Sequence, residues 1–169
     1  MIITLTGFMG CGKSSVGRRL AKLLSCSFVD LDDYIVERAG KSVADIFTEV
    51  GEKGFRVFEC QCLRELLERP VEGDFVIALG GGAVTTPECV SLIRQHAVCV
   101  YLTASEETLQ KRLSGDTKRP LLQGESLEQR IHRLMEQRAG IYASVADFEV
   151  ATDELTPMGV AHEIFKVIN

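Results

Sequence analysis

The chain of 169 residues is long enough for one domain that buries roughly two thirds of the surface its unfolded form exposes. With 46% hydrophobic and 25% charged residues it is ordinary globular material, neither disordered nor collagen-like. A net charge of −5 leaves no basic field over the whole protein, which argues against a nucleic-acid or anionic-membrane partner.

Nothing at the amino terminus reads as a signal or transit segment, and no apolar run reaches membrane length, so a cytoplasmic protein is expected. Cys11, Cys26, Cys60, Cys62, Cys89 and Cys99 form no C-x-x-C pair, and no nearby histidine completes a zinc pattern. Reduced thiols are expected of such a protein.

In chain order, Ile2 to Thr6 is an apolar, β-branched run that reads as a buried strand. Gly7-Phe8-Met9-Gly10-Cys11-Gly12-Lys13-Ser14 then matches G-x-x-x-x-G-K-[ST] in full, and Val16, Leu20, Leu23 and Leu24 follow at helical spacing. Strand, glycine-rich loop and helix point successive backbone N–H groups into one concavity, to which the helix N-terminus adds positive partial charge. Such a loop binds a nucleoside triphosphate, with Lys13 on the β- and γ-phosphates and Ser14 on Mg²⁺.

A short strand at Ser27-Phe28-Val29 leads into Asp30-Leu31-Asp32-Asp33. Ligands of an open parallel sheet collect outside the carboxyl ends of its strands, so these acids should share the crevice with the phosphate loop. Acids beside an anion site need a mediator, and Mg²⁺ held through water by Asp30 supplies one. Asp32 is placed to contact a hydroxyl; the alternative is that Asp32 or Asp33 merely caps a helix from Tyr34 to Ala39. Ser42 opens the next helix, Gly51 to Gly54 interrupts it, and a longer one is expected from about Phe55 to Leu67. Arg56 and Glu59 sit three residues apart there and can pair, a surface ion pair being the plain reading.

Phe75 to Leu79 reads as a central strand and ends in Gly80-Gly81-Gly82. Three glycines in a row cost backbone entropy, so close approach of a ligand is favoured over a simple turn. A helix from Pro87 to about Gln95 follows, then a strand from Ala97 to Leu102 and a helix capped by Ser105 that runs to about Leu113. From Lys111 to Gly124 the pattern breaks into a polar, basic stretch containing Arg112, Lys118 and Arg119, which reads as a lid or as a solvated loop. A capping box at Ser126 starts a helix expected to end near Gly140, with Ile141-Tyr142 beginning another turn. A last strand at Phe148 to Ala151 and a helix capped by Thr156 complete the chain. His96, His132 and His162 are scattered and read as surface residues.

Five strands alternating with helices imply a three-layer αβα fold with a five-stranded parallel sheet, in one domain over residues 1–169. Triphosphate use leaves three options: transfer to a small molecule, a hydrolytic switch, or passive binding. A transfer enzyme must exclude water, which a cationic lid does, and the motifs Asp-x-x-Gly and Asn-Lys-x-Asp of switch proteins are missing. These features favour a small-molecule kinase.

The phosphate loop, Asp30-Leu31-Asp32, the run Gly51 to Glu59 with Phe55-Arg56, Gly80-Gly81-Gly82-Ala83, Lys118-Arg119-Pro120-Leu121-Leu122 and Arg138-Ala139-Gly140-Ile141-Tyr142 together resemble shikimate kinases in order and approximate spacing. The resemblance implies a P-loop, nucleoside-monophosphate-kinase-like fold with a substrate-binding segment at about 32–60 and a lid at about 111–124. It implies MgATP-dependent phosphorylation of the shikimate 3-hydroxyl on the route to aromatic amino acids. Nothing in the sequence requires a protein partner, so a monomer is the default expectation.

Carried over, Gly10, Cys11, Gly12, Lys13, Ser14 and Ser15 hold the nucleotide phosphates, and Ser14 and Asp30 serve the metal. Asp32 binds the substrate hydroxyls and is the base. Arg56, oriented by Glu59, and Arg138 bind the substrate carboxylate, while Gly80, Gly81 and Gly82 bring backbone to the substrate. Arg119 stabilises the phosphates from the lid, Arg112 lies near adenine, and Lys13, Asp32 and Arg119 form the catalytic set. Two departures are visible: Val36 stands where many members carry an acid, here found at Glu37, and Cys11 replaces a commoner alanine.

Overall fold

In the computed structural model, which describes residues 1–70, 72–114 and 125–169, five strands alternate with seven α-helices among the described residues. They are β1 (Ile2–Thr6), α1 (Lys13–Leu23), β2 (Ser27–Asp30), α2 (Leu31–Ala39), α3 (Val43–Glu68), β3 (Phe75–Ala78) and α4 (Pro87–His96). After these come β4 (Val98–Thr103), α5 (Glu106–Leu113), α6 (Leu127–Val145), β5 (Phe148–Ala151) and α7 (Pro157–Ile168).

The sheet order is β2-β3-β1-β4-β5 and every pairing is parallel, as the alternation of strand and helix predicts. β3 is buried along its whole length and β1 from Ile3 onward, whereas the edge strands β2 and β5 are partly exposed. Strands buried on both faces require helices on both faces. α1 packs with α7, and α3 with α4. Because β3 and β4 flank β1 on opposite sides, the chain reverses its direction of travel across the sheet at β1. The crevice beyond the carboxyl end of β1 is therefore the place where a ligand fits this topology.

Three helix boundaries differ from the sequence expectation, and each difference moves a candidate residue. α2 begins at Leu31 instead of Tyr34, because Asp30 at the end of β2 is its cap and accepts from the Asp33 N–H at 3.2 Å. Asp32 and Asp33 thus lie inside the first turn, and neither is the cap of α2. α3 continues through the glycines after Val50; only Gly51 leaves helical geometry (φ 71°), so the expected four-residue interruption is a one-residue kink. α6 does not stop at Gly140, where an added Cβ would meet nothing, but runs on to Val145. Arg138 and Tyr142 therefore share one helix, one turn apart.

Candidate active site

The phosphate loop leaves β1 and enters α1 through Gly12, which is left-handed (φ 94°) and supplies no side-chain cap. The first N–H groups of α1 are consequently uncapped by any side chain and face the crevice, as an anion site needs. Lys13 Nζ bends back over the loop and donates to the carbonyl oxygens of Gly7 at 2.7 Å and Phe8 at 3.1 Å. The Cys11 thiol is buried, 3.9 Å from Lys13 Nζ, so its packing lies beneath the loop while its backbone forms part of it. The Ser15 hydroxyl accepts from Arg19 at 3.0 Å.

Ser14 and Asp30, predicted to serve one metal, do meet: the Ser14 hydroxyl donates to Asp30 Oδ2. Asp30 thereby joins the end of β2 to the start of α1 with one oxygen and caps α2 with the other. One hydroxyl and one carboxylate are hard oxygen donors of the kind Mg²⁺ takes when substrate phosphates complete its shell. Among the described residues no cluster of three or more His, Cys, Asp or Glu could hold a metal by itself.

On the other side of the crevice stand Asp32, Arg56, Glu59 and the glycines. A Cβ added to Gly80 would lie 3.0 Å from Asp32 Oδ1 and 3.2 Å from Glu59 Oε2. Both carboxylates close on this one residue, and a bare α-carbon leaves them room. Arg56 Nη1 pairs with Glu59 Oε1 at 2.9 Å, and Glu52 adds a longer contact of 3.9 Å. The plain reading of Arg56 and Glu59 as a surface pair is corrected here, since Glu59 is 1% exposed and Arg56 18%. Burial pushes the Glu59 carboxyl above the usual carboxylate range, and Arg56 pulls part of that shift back. Arg56 Nε is buried and finds no partner among the described residues. A buried donor left open in a crevice is costly unless a ligand accepts from it. Arg138 enters from α6, its Nη1 3.8 Å from where a Gly81 Cβ would stand, and feels the Glu59 charge.

Arg112 is anchored on α5, donating to Gly10 O, Thr152 Oγ1 and Thr152 O, each at 3.2 Å. It lines a cavity of about 240 Å³ with the phosphate-loop residues Gly10 to Gly12 and with Leu155, Pro157 and Val160. A planar base fits such an apolar slot beside the loop. Arg119 and residues 115–124 of the expected lid lie outside the described residues. All three histidines are exposed, and all six cysteines carry free thiols. Two participants escaped sequence reasoning: the burial of Glu59, and Tyr142, whose hydroxyl donates to Gly81 O. The Arg-x-x-x-Tyr spacing was the signal for the second, hidden by the helix end expected at Gly140.

A phosphate loop at the switch point of a parallel sheet, facing acids and paired arginines across one crevice, defines a P-loop kinase. The shikimate kinase family profile matches residues 9–169. A shikimate kinase of Legionella pneumophila (strain Corby) is 42% identical over 98% of this chain and 93% of its own. One of Geobacter sulfurreducens is 44% identical over 96% of this chain and 87% of its own. Among solved structures, shikimate kinase from Acinetobacter baumannii in complex with shikimate superposes with a TM-score of 0.91 at 37% identity, covering 99% of this chain and 92% of that one. The Aquifex aeolicus shikimate kinase gives 0.84 at 34% identity, over 99% and 96%. The chain belongs to the shikimate kinase family, phosphotransferases that use ATP and an alcohol acceptor.

Proposed function

We propose that this crevice transfers the γ-phosphoryl group of ATP to the 3-hydroxyl of shikimate, giving shikimate 3-phosphate and ADP on the route to chorismate and the aromatic amino acids. The observation that carries the substrate assignment is the buried Arg56 Nε, without a partner among the described residues, beside Arg138 and Asp32. Two guanidinium groups suit a carboxylate, and an aspartate between them and the phosphate loop suits a hydroxyl.

The 3-oxygen of shikimate bonds to the γ-phosphorus as the bond from that phosphorus to the β-bridging oxygen breaks. The hydroxyl proton passes to Asp32, and ADP leaves. Phosphoryl transfer has a loose transition state, so Asp32 orients the hydroxyl first and takes its proton late. Gly10 to Ser15 wrap the phosphates with backbone N–H groups, and Lys13 leaves the Gly7 and Phe8 carbonyls for the β- and γ-oxygens. Ser14 and Asp30 would hold Mg²⁺, which would supply neutralisation of the phosphate charge. Gly80, Gly81 and Gly82 form the floor under the sugar-like ring, and Arg112 borders the base. Arg119 keeps the role its motif implies, on the phosphates from a lid at about 111–124, with about 32–60 as the substrate-binding segment.

No described helix is long and apolar enough to cross a membrane. A net charge of −5 argues against a nucleic-acid partner, and a cytoplasmic monomer is our reading of the chain. Phosphorus NMR of the product tests the regiochemistry. A phosphorus coupled to the proton at carbon 3 is expected, and coupling to another ring position overturns the proposed pose.

A further inference from the structure

Tyr142 is fully buried, yet it carries a hydroxyl that the transfer chemistry does not use. Its ring packs against Tyr101 of β4 at 5.3 Å between centroids. Its hydroxyl donates to Gly81 O, the central carbonyl of the glycine loop. Arg138, one turn earlier on α6, comes to the same glycine, its Nη1 3.8 Å from where a Gly81 Cβ would stand, and its charge acts on the phenol. A phenol can donate one hydrogen bond and accept another at once, so with its proton on Gly81 O its lone pairs stay open to a donor beside that glycine. Burial pushes the phenol up to about 12, so it remains a donor throughout the physiological range.

We propose that Tyr142 is a positioning residue for recognition of the substrate carboxylate, tying the Arg138 guanidinium to the Gly81 carbonyl so that the arginine is already aimed when shikimate arrives. The inference rests on the reading of Arg138 as a carboxylate ligand. An arginine held in its binding rotamer loses less freedom on binding than one that must be ordered by the ligand. The same hydroxyl also fixes the distance between α6 and the glycine loop, the two walls that Arg138 spans.

The test is steady-state kinetics on the full chain with shikimate and ATP varied separately, for wild type, Tyr142→Phe, Arg138→Ala and the double variant. Phenylalanine keeps the ring and its contact with Tyr101, so the comparison isolates the hydroxyl, and a dichroism melt verifies folding. Tyr142→Phe is expected to raise the KM for shikimate about five- to tenfold, the scale of one ordinary hydrogen bond, with kcat and the KM for ATP moving less than about twofold. In the Arg138→Ala background it should add almost nothing, because the two residues act as one unit. An unchanged KM in Tyr142→Phe while Arg138→Ala raises it overturns the role of Tyr142 alone. Equal losses in every parameter also overturn it, since that is the mark of a purely structural tyrosine. An unchanged KM in Arg138→Ala overturns the carboxylate reading and the inference with it. A second probe needs no loss of the hydroxyl: 3-fluorotyrosine at position 142 should shift its fluorine resonance when shikimate binds, and an immobile resonance contradicts the proposal.

Discussion

Gly82 lies flat against the guanidinium of Arg56: a Cβ built on the glycine would stand 2.3 Å from Nη2 and 2.7 Å from Cζ. A left-handed backbone plays no part, because Gly82 has φ −108°, on the side of the map that L-residues occupy. The third glycine of the loop is thus required by one of the protein's own side chains. Arg56 is wedged between it, Glu59 and the Phe55 ring, whose centroid is 5.3 Å from Cζ.

Gly82→Ala should therefore fold normally but displace the guanidinium. The expected result is a KM for shikimate raised by about tenfold or more, about 1.4 kcal/mol of lost binding, with the KM for ATP little changed. A thermal melt beside the kinetics separates this from unfolding. An unaltered KM for shikimate contradicts Arg56 as a substrate ligand.

Asp32→Asn keeps the shape of the first turn of α2 and removes the proton acceptor. Turnover should fall by about 10² to 10⁴, the usual contribution of a positioned acid–base group. Calorimetric binding of MgATP should persist, because the phosphate loop and the pair of Ser14 with Asp30 are untouched. Near-normal kcat sinks the role given to Asp32.

His132 of α6 bridges to α5. Its ring nitrogens lie 3.0 Å from Glu106 and 3.2 Å from Glu136, and the hydrogen bond to Glu106 is the main reason its pKa is raised above the ordinary 6.5. The folded form then binds its proton more tightly than the unfolded form. Its contribution to stability is full below pH 6.5 and fades as pH rises through the folded value. An NMR titration of the ring should show a midpoint above 6.5 that drops in Glu106→Gln. A midpoint unmoved by that substitution removes the cause assigned to it.

The sequence announces those elements whose ends carry their own chemistry. Ser105, Ser126 and Thr156 accept from the backbone three residues on, and the helices they open start where their spacing predicts. The phosphate loop is legible because its function is local: every participating atom lies within eight consecutive residues. What remained hidden depends on packing. Asp30 hides its capping role because it also ends a strand, and Gly140 ends no helix because it sits on an open face with nothing to disturb. The spacing of Arg56 and Glu59 shows that they can pair, whereas only the fold shows Glu59 buried and Arg56 Nε without a partner among the described residues. Likewise three glycines signal close approach, but that the approaching groups are Arg56, Asp32 and Glu59 is a tertiary fact.

The most direct test of the account is ADP release by the purified protein with MgATP and, in separate reactions, shikimate, gluconate, nucleoside monophosphates or no acceptor. Release with shikimate alone is the predicted result. Release with a different acceptor contradicts the assignment of Arg56 and Arg138 to the shikimate carboxylate, and no release from protein that binds MgATP contradicts the account of the crevice as a catalytic site.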